Sequence, residues 1–220
     1  MSNRRSRRRL IPELLAILWL GAAGCASTAA VPAPPQVTVA PALSAELSSG
    51  RYARGAEAAP VTIVEFADYQ CSHCAEQEPI LSRLLRDYDA RVRLVFHDYL
   101  GHPYSLELAQ AARCAGEQGG FWAMHDFLFK HFDTVDAARL AEYASALGLD
   151  GEGLVSCVKS GRYRKSIEAD AALAQKAGVL GTPTFFVNGR QFVGTQTYAQ
   201  LAAAVDEALA SLQASGGVSY

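Results

Sequence analysis

Cys71 and Cys74 are separated only by Ser72 and His73, in the stretch Asp68-Tyr69-Gln70-Cys71-Ser72-His73-Cys74 that follows an apolar run. Thiols this close can form half of a metal site, a local structural disulfide or a redox centre. A tetrahedral zinc site needs four ligands, usually from two close pairs. The other cysteines of the folded part, Cys114 and Cys157, lie far apart and on expected helices, so there is no second pair and no metal is expected. A structural disulfide across two residues closes a tiny loop, and the stabilisation from a crosslink grows with loop length. Redox chemistry is the reading with a mechanism.

That chemistry needs an accessible thiolate. Cys71 falls where a strand gives way to a helix, and a helix N-terminus offers free N–H groups and the positive end of the dipole. His73 is placed to add a positive charge or a hydrogen bond to the same sulfur. Lowering a cysteine pKa from about 8.5 to between 3.5 and 7.5 is worth roughly 1.4 to 7 kcal/mol of preference for the anion. Cys71 is then the attacking and leaving sulfur, and Cys74, one turn deeper, resolves the mixed disulfide. Glu76 and Glu78 oppose the thiolate from the early helix; they are expected away from the sulfur and partly screened by solvent. Glu65 stands inside the apolar run. A buried acid is costly without a purpose, and the alternative is a side chain pointing to solvent from the edge of the strand. Pro183, after Thr182, opens a later strand, where a missing N–H is tolerated.

These residues need elements to hold them. Val61-Thr62-Ile63-Val64-Glu65-Phe66 reads as a buried central strand. A helix is predicted from Cys71 to about Tyr88, with Ile80, Leu81, Leu84, Leu85 and Tyr88 on one face. Arg91 to Phe96 is the second strand, and the spacing fits a right-handed βαβ unit. Residues 103–177 are helical in pattern, broken at Gly119-Gly120, Gly148 and Gly151. Their aromatic cluster, Phe121, Trp122, Phe127, Phe129 and Phe132 with Leu128, is expected to be core, and a share in a substrate groove stays open. His97, His102, His125 and His131 show no ligand spacing, so surface or capping roles are expected. Thr184 to Val187, the turn Asn188-Gly189 and Gln191 to Val193 form a hairpin. Tyr198, Leu201, Val205, Leu209 and Leu212 mark a closing amphipathic helix. The order βαβ, helical block, ββα predicts an α/β fold. Its four-stranded mixed sheet carries helices on both faces, and the helical block is an insertion.

The chain has 220 residues, half of them hydrophobic, which suits one globular domain of ordinary size. Residues 1–24 read as an export signal: five arginines, a short apolar segment interrupted by Pro12 and Glu13, then small residues. Ala22-Ala23-Gly24-Cys25 resembles a bacterial lipobox, which makes Cys25 the expected site of lipid attachment; an ordinary signal peptide is the alternative. Ser6-Arg7-Arg8-Arg9-Leu10 matches a twin-arginine signal only in part, so the export route stays open. Loss of residues 1–24 leaves 15 basic against 21 acidic residues, a net charge of −6. No basic patch remains for nucleic acid. Residues 25–50, rich in Ala, Pro and Ser, are expected to be a flexible tether.

Taken together, Ala59 to Phe66, Asp68 to Cys74 and Gly181-Thr182-Pro183-Thr184-Phe185-Phe186-Val187-Asn188-Gly189 resemble the DsbA-like thiol-disulfide oxidoreductases of the thioredoxin superfamily. A lone CxxC is a weak signal; a CxxC behind a buried strand with a Thr-Pro opening a later strand is a strong one. The resemblance spans about residues 50–212. It implies a thioredoxin core over 51–102 and 178–213, interrupted by a helical domain over 103–177. It implies a cis peptide at Pro183 beside the CxxC, with the Thr182 backbone free to bind an extended substrate. It makes Glu65 a proton relay for Cys74, and Pro79 a kinking proline in the first helix. Ser72 stands where many relatives have proline, and the Ser72-His73 dipeptide tunes the reduction potential. Cys114 and Cys157 are expected to pair as a structural disulfide, with two buried free thiols as the alternative. No cofactor is implied beyond the Cys71–Cys74 disulfide itself.

The implied activity is oxidation of exported proteins in the periplasm or at the outer face of the cell membrane. Unfolded or reduced exported proteins are the substrates, and a quinone-linked membrane thiol oxidase recycles a monomeric, lipid-anchored enzyme. An envelope reductase or isomerase is the rival reading. A thioredoxin-fold binding module or chaperone without turnover is the non-enzymatic one.

Overall fold

The computed structural model describes residues 37–216. The expected export signal, Cys25 and the first part of the tether lie outside the described residues. Five strands form one sheet in the order β1-β3-β2-β4-β5. At its centre, β2 (Val61–Ala67) runs parallel to β3 (Val92–Asp98) and antiparallel to β4 (Thr184–Val187). The hairpin of β4 and β5 (Arg190–Val193) turns through Asn188 and Gly189 at φ 45° and 88°. Two successive positive φ values match the right-handed twist of the flanking strands and suit Asn-Gly.

The sheet has one strand more than expected. β1 (Tyr52–Gly55) pairs antiparallel with the outer edge of β3. Its four residues are half-exposed and too short to show an alternating pattern. The tether expectation needs the larger correction. Thr38 bridges to Arg190, and Pro41–Ser48 forms helix α1. Leu47 is fully buried there among Val64, Phe66, Val95, Ala174 and Phe186. Ala/Pro/Ser composition reads as linker, and an eight-residue helix shows too few turns for its Leu43–Leu47 face to stand out.

Helices cover both faces. On one, α2 (Ser72–Tyr88) and α8 (Tyr198–Gly216) bury Leu81, Leu84, Leu201 and Val205 against Val61, Ile63 and Leu94. On the other lie α1 and α7 (Arg164–Lys176). Alternation along β2 therefore puts Glu65 on the same side as Val61 and Ile63, under α2. Pro79 lies inside α2, which continues through it.

Between β3 and β4 run α3 (Ser105–Glu117), α4 (Phe121–Lys130), α5 (Leu140–Ala146), α6 (Gly151–Ser160) and α7. Cys114 on α3 and Cys157 on α6 form a disulfide with Cα atoms 5.9 Å apart. A buried charged cluster ties this block to the sheet. Arg113 donates to Asp98 at 2.7 Å and to Ser166 at 2.8 Å, and pairs with Asp170. Two of the histidines expected at the surface belong to the interior. His97 binds Asp170 at 3.0 Å and the Leu47 carbonyl at 2.8 Å, and His125 is fully buried. Sequence spacing could not reveal this, because the partners lie 50 to 73 residues away. Among the described residues no helix is long and apolar enough to cross a membrane.

Candidate active site

Cys71 is the N-cap of α2 and is 7 % exposed as a residue; Cys74, one turn on, is fully buried. Both are free thiols. They titrate in opposite directions. The Cys71 pKa is lowered from 9.0 to about 5, first by a hydrogen bond from the Cys74 thiol, then, against the cost of burial, by Thr182 and the backbone N–H groups of Cys74 and His73. Burial, and then donation to Cys71, pushes Cys74 far up. Of the two sulfurs, Cys71 is the one whose thiolate is stabilised, the form that can attack and leave, and Cys74 is the one that keeps its proton.

Two contributions differ from expectation. The His73 side chain turns outward to Glu76, 3.4 Å from its Oε2, so His73 acts on the sulfur through its backbone N–H alone. The N–H groups at the helix start are looser than a cap hydrogen bond and rank behind the Cys74 thiol. Thr182 contacts the sulfur from the facing loop, before the cis peptide to Pro183. Its carbonyl oxygen lies 3.5 Å from Cys71 Sγ and favours the thiol, whereas its hydroxyl favours the thiolate. The hydroxyl had no signal in the sequence.

Glu65 occupies the central strand, not an edge, and is fully buried. Neither carboxylate oxygen has a hydrogen-bond partner among the described residues. Burial, the charge of Glu78 and that of Cys71 raise its pKa well above 4.5. A carboxyl group that keeps its proton beneath Cys74 can give or take one as Cys74 changes state. Glu76 is exposed as expected, but Glu78 is not: its side chain is 14 % exposed and bound to His125.

Asp68 was quoted in the motif without a role, and it organises the loop before Cys71. It is 1 % exposed. Its carboxylate accepts from the backbone N–H of Gln70 at 2.9 Å and of Gly101 at 2.8 Å, and from Ser105 Oγ at 2.6 Å. His102 Nδ1 lies 3.0 Å away. An Asp two residues before a turn N–H is an Asx-turn signal, and that part was readable. Leu180, two residues before Thr182, and Tyr104, whose backbone N–H binds the Gln70 side chain, have exposed side chains. A cleft of about 650 Å³ begins at Gln70 and Tyr104 and reaches into the insertion past Leu108, Leu140 and Val158. The aromatic cluster is mostly core: Phe121 and Phe129 are buried around His125 and Tyr69.

A CxxC at the start of the helix behind a central strand, a cis-proline loop facing it and a helical block inserted before that loop define a DsbA-like protein of the thioredoxin superfamily. The thioredoxin family profile matches residues 48–207, and the chain belongs to that family. A thioredoxin-like oxidoreductase from Silicibacter pomeroyi DSS-3 is 32 % identical, with a TM-score of 0.64 over 71 % of this chain and 91 % of that one. The thiol-disulfide exchange protein alpha-DsbA2 from Wolbachia pipientis is 23 % identical, with a TM-score of 0.64 over 70 % of this chain and 85 % of that one. Na(+)/H(+) antiporter NhaA 3 from Salinispora tropica is 43 % identical over 171 residues, which are 76 % of this chain and 26 % of the antiporter. The chain thus spans about a quarter of the length of the curated relatives it matches.

Proposed function

We propose that the chain is a protein thiol-disulfide oxidoreductase that acts mainly as an oxidase of exported proteins. The observation that carries the direction is the low Cys71 pKa, about 5. Whatever stabilises the Cys71 thiolate stabilises the reduced enzyme, and a stabilised reduced form makes the disulfide a stronger oxidant.

A client thiolate attacks Cys71 Sγ of the Cys71–Cys74 disulfide. The new client–Cys71 bond replaces the Cys71–Cys74 bond, and Cys74 leaves, taking a proton from Glu65. A second client thiolate then attacks the client sulfur of the mixed disulfide and expels Cys71 as a stable thiolate. The client has lost two electrons and the enzyme has gained them. Thr182 and Pro183 line the path of an extended client segment, with Leu180 and Tyr104 offering apolar contact. Recycling requires a thiol oxidant; a quinone-linked membrane oxidase fits an enzyme held to the membrane through lipidated Cys25. The enzyme acts as a monomer outside the cytoplasm and needs no cofactor beyond its own disulfide.

The test is the reduction potential of the Cys71–Cys74 pair together with oxidation of a dithiol peptide. A potential near −120 mV with rapid peptide oxidation supports the oxidase; one near −270 mV favours a reductase. Failure of the purified protein to exchange thiols at all, with both thiols titratable, removes the enzymatic reading and leaves a binding module.

A further inference from the structure

His125 is fully buried, yet it belongs to none of the chemistry described so far. It comes from α4, in the insertion, and reaches the two elements that frame the CxxC. Its Nε2 lies 3.3 Å from Glu78 Oε1 on α2, and its Nδ1 lies 3.1 Å from the Tyr69 hydroxyl, two residues before Cys71. A carboxylate can only accept, so Nε2 carries the hydrogen toward Glu78, and Nδ1 meets the Tyr69 hydroxyl, which can either donate or accept. Phe96, Phe121, Trp122 and Phe129 cage the ring. The imidazole is therefore fixed in position.

Glu78 has somewhere else to go. It lines a cavity of about 340 Å³ with Ser82, Asp126 and Lys130, between α2 and α4. A free Glu78 side chain would turn into that cavity toward water and Lys130. Bound to His125, it stays where its charge acts on Glu65.

We propose that His125 is a positioning residue for thiol-disulfide exchange: from the insertion it holds the Glu78 carboxylate of α2 and the Tyr69 hydroxyl in place beside the CxxC. The charges that act on Glu65 are those of Glu78 and Cys71, and Glu65 in turn acts on Cys74. The groups that face His125 are Tyr69, Glu78 and Asp126, whose carboxylate lies within 4.8 Å of His125 and Glu78 and is paired with Arg54 at 2.8 Å. Asp98 and Arg113 act on Tyr69 from the sheet side, with opposite signs. The inference rests on the exchange reading above.

The test uses the full chain and three substitutions. His125→Phe keeps an aromatic ring in an aromatic cage and removes both hydrogen bonds. His125→Gln places an amide N–H near the position of Nε2. Glu78→Gln removes the charge and keeps the shape. The readout is the pH profile of single-turnover disulfide transfer to a dithiol peptide, whose alkaline fall tracks loss of the Glu65 proton. His125→Phe and Glu78→Gln should each move that fall to lower pH, by on the order of one unit, the size expected for losing one nearby charge in a partly buried site. The double variant should move it no further, and His125→Gln should restore it. The Cys71 titration should not change, because neither residue touches its sulfur. Equal profiles in wild type and His125→Phe, or additive shifts in the double variant, overturn the proposal. If His125→Phe fails to fold, Glu78→Gln decides: an unmoved profile overturns it. Absence of exchange in the wild type removes the exchange reading instead.

Discussion

Replacing Cys74 with alanine should raise the Cys71 pKa, because the Cys74 thiol is the largest of the groups that hold it down. A hydrogen bond to a charged group contributes about 1.5–3 kcal/mol, which is about one to two pKa units. Starting from about 5, the alanine variant should titrate near 6–7. Cys74→Ser keeps a donor of similar reach and should stay close to the wild type. The shift bears directly on direction. At pH 7 only the interval between the Cys71 pKa and the solution pH counts, since a thiol of pKa 9.0 is already protonated there. Two units are about 2.7 kcal/mol, or about 60 mV toward a stronger oxidant for a two-electron couple. Solvent at the helix end screens part of this, so roughly 30 mV is a floor. The assay is the ultraviolet absorbance of the thiolate across pH in the reduced wild type and both variants. An alanine variant that titrates like the wild type would refute the reasoning, and the helix N-terminus would then carry the stabilisation alone.

Glu65→Gln should stabilise the fold at neutral pH while slowing disulfide transfer. The folded pKa is raised, so below about 4.5 both states are protonated and the variant gains nothing; as pH rises, ionisation favours the unfolded wild type and the gain grows, which melting curves at acid and neutral pH will read. Removing both Cys114 and Cys157 opens a crosslink spanning 43 residues and should cost about 4 kcal/mol by loop-closure entropy, seen in denaturant titration, without moving the Cys71 titration. Arg113→Met leaves the Asp98 carboxylate unpaired in the interior and Asp170 without its guanidinium, and should cost about 3–5 kcal/mol by the same titration, whereas an unchanged midpoint would mean the cluster is dispensable.

The chemistry of the site was more legible than its supports. Cys71, Cys74 and Pro183 announce themselves by spacing along the chain, because local backbone geometry sets their roles. Glu65 was legible as an anomaly, a charge inside an apolar strand, and period-two alternation then put it under α2. The Asn188-Gly189 turn and the glycine breaks of the insertion were readable for the same local reason. What escaped reading depends on distance. His97 meets Asp170 and the Leu47 carbonyl across 73 and 50 residues, and His125 meets Tyr69 across 56. A lone histidine carries no periodic signal, so only the fold brings such partners together. Misplaced order has a different cause. Residues 37–50 lack the length to show amphipathicity, although Leu47 is as buried as any strand residue.

The insertion does more than cover one end of the sheet. Three consecutive side chains before the nucleophile all grip it or the segment leading into it. Asp68 binds the Gly101 N–H and Ser105 Oγ, the Tyr69 hydroxyl binds His125 Nδ1, and the Gln70 side-chain oxygen accepts from the Tyr104 N–H at 2.7 Å. Tyr69 and Gln70 lie in a turn, and these contacts hold its backbone at three successive positions. The Cys71 N–H donates to the Asp68 carbonyl at 2.9 Å, which passes that restraint to the residue that caps α2. A thiolate is stabilised only while its donors stay aimed, and here the aim of Cys71 toward Cys74, Thr182 and the helix start depends on a loop clamped from outside the thioredoxin core. The sheet supplies Glu65, the helix supplies the thiols, and the insertion fixes the angle at which they meet.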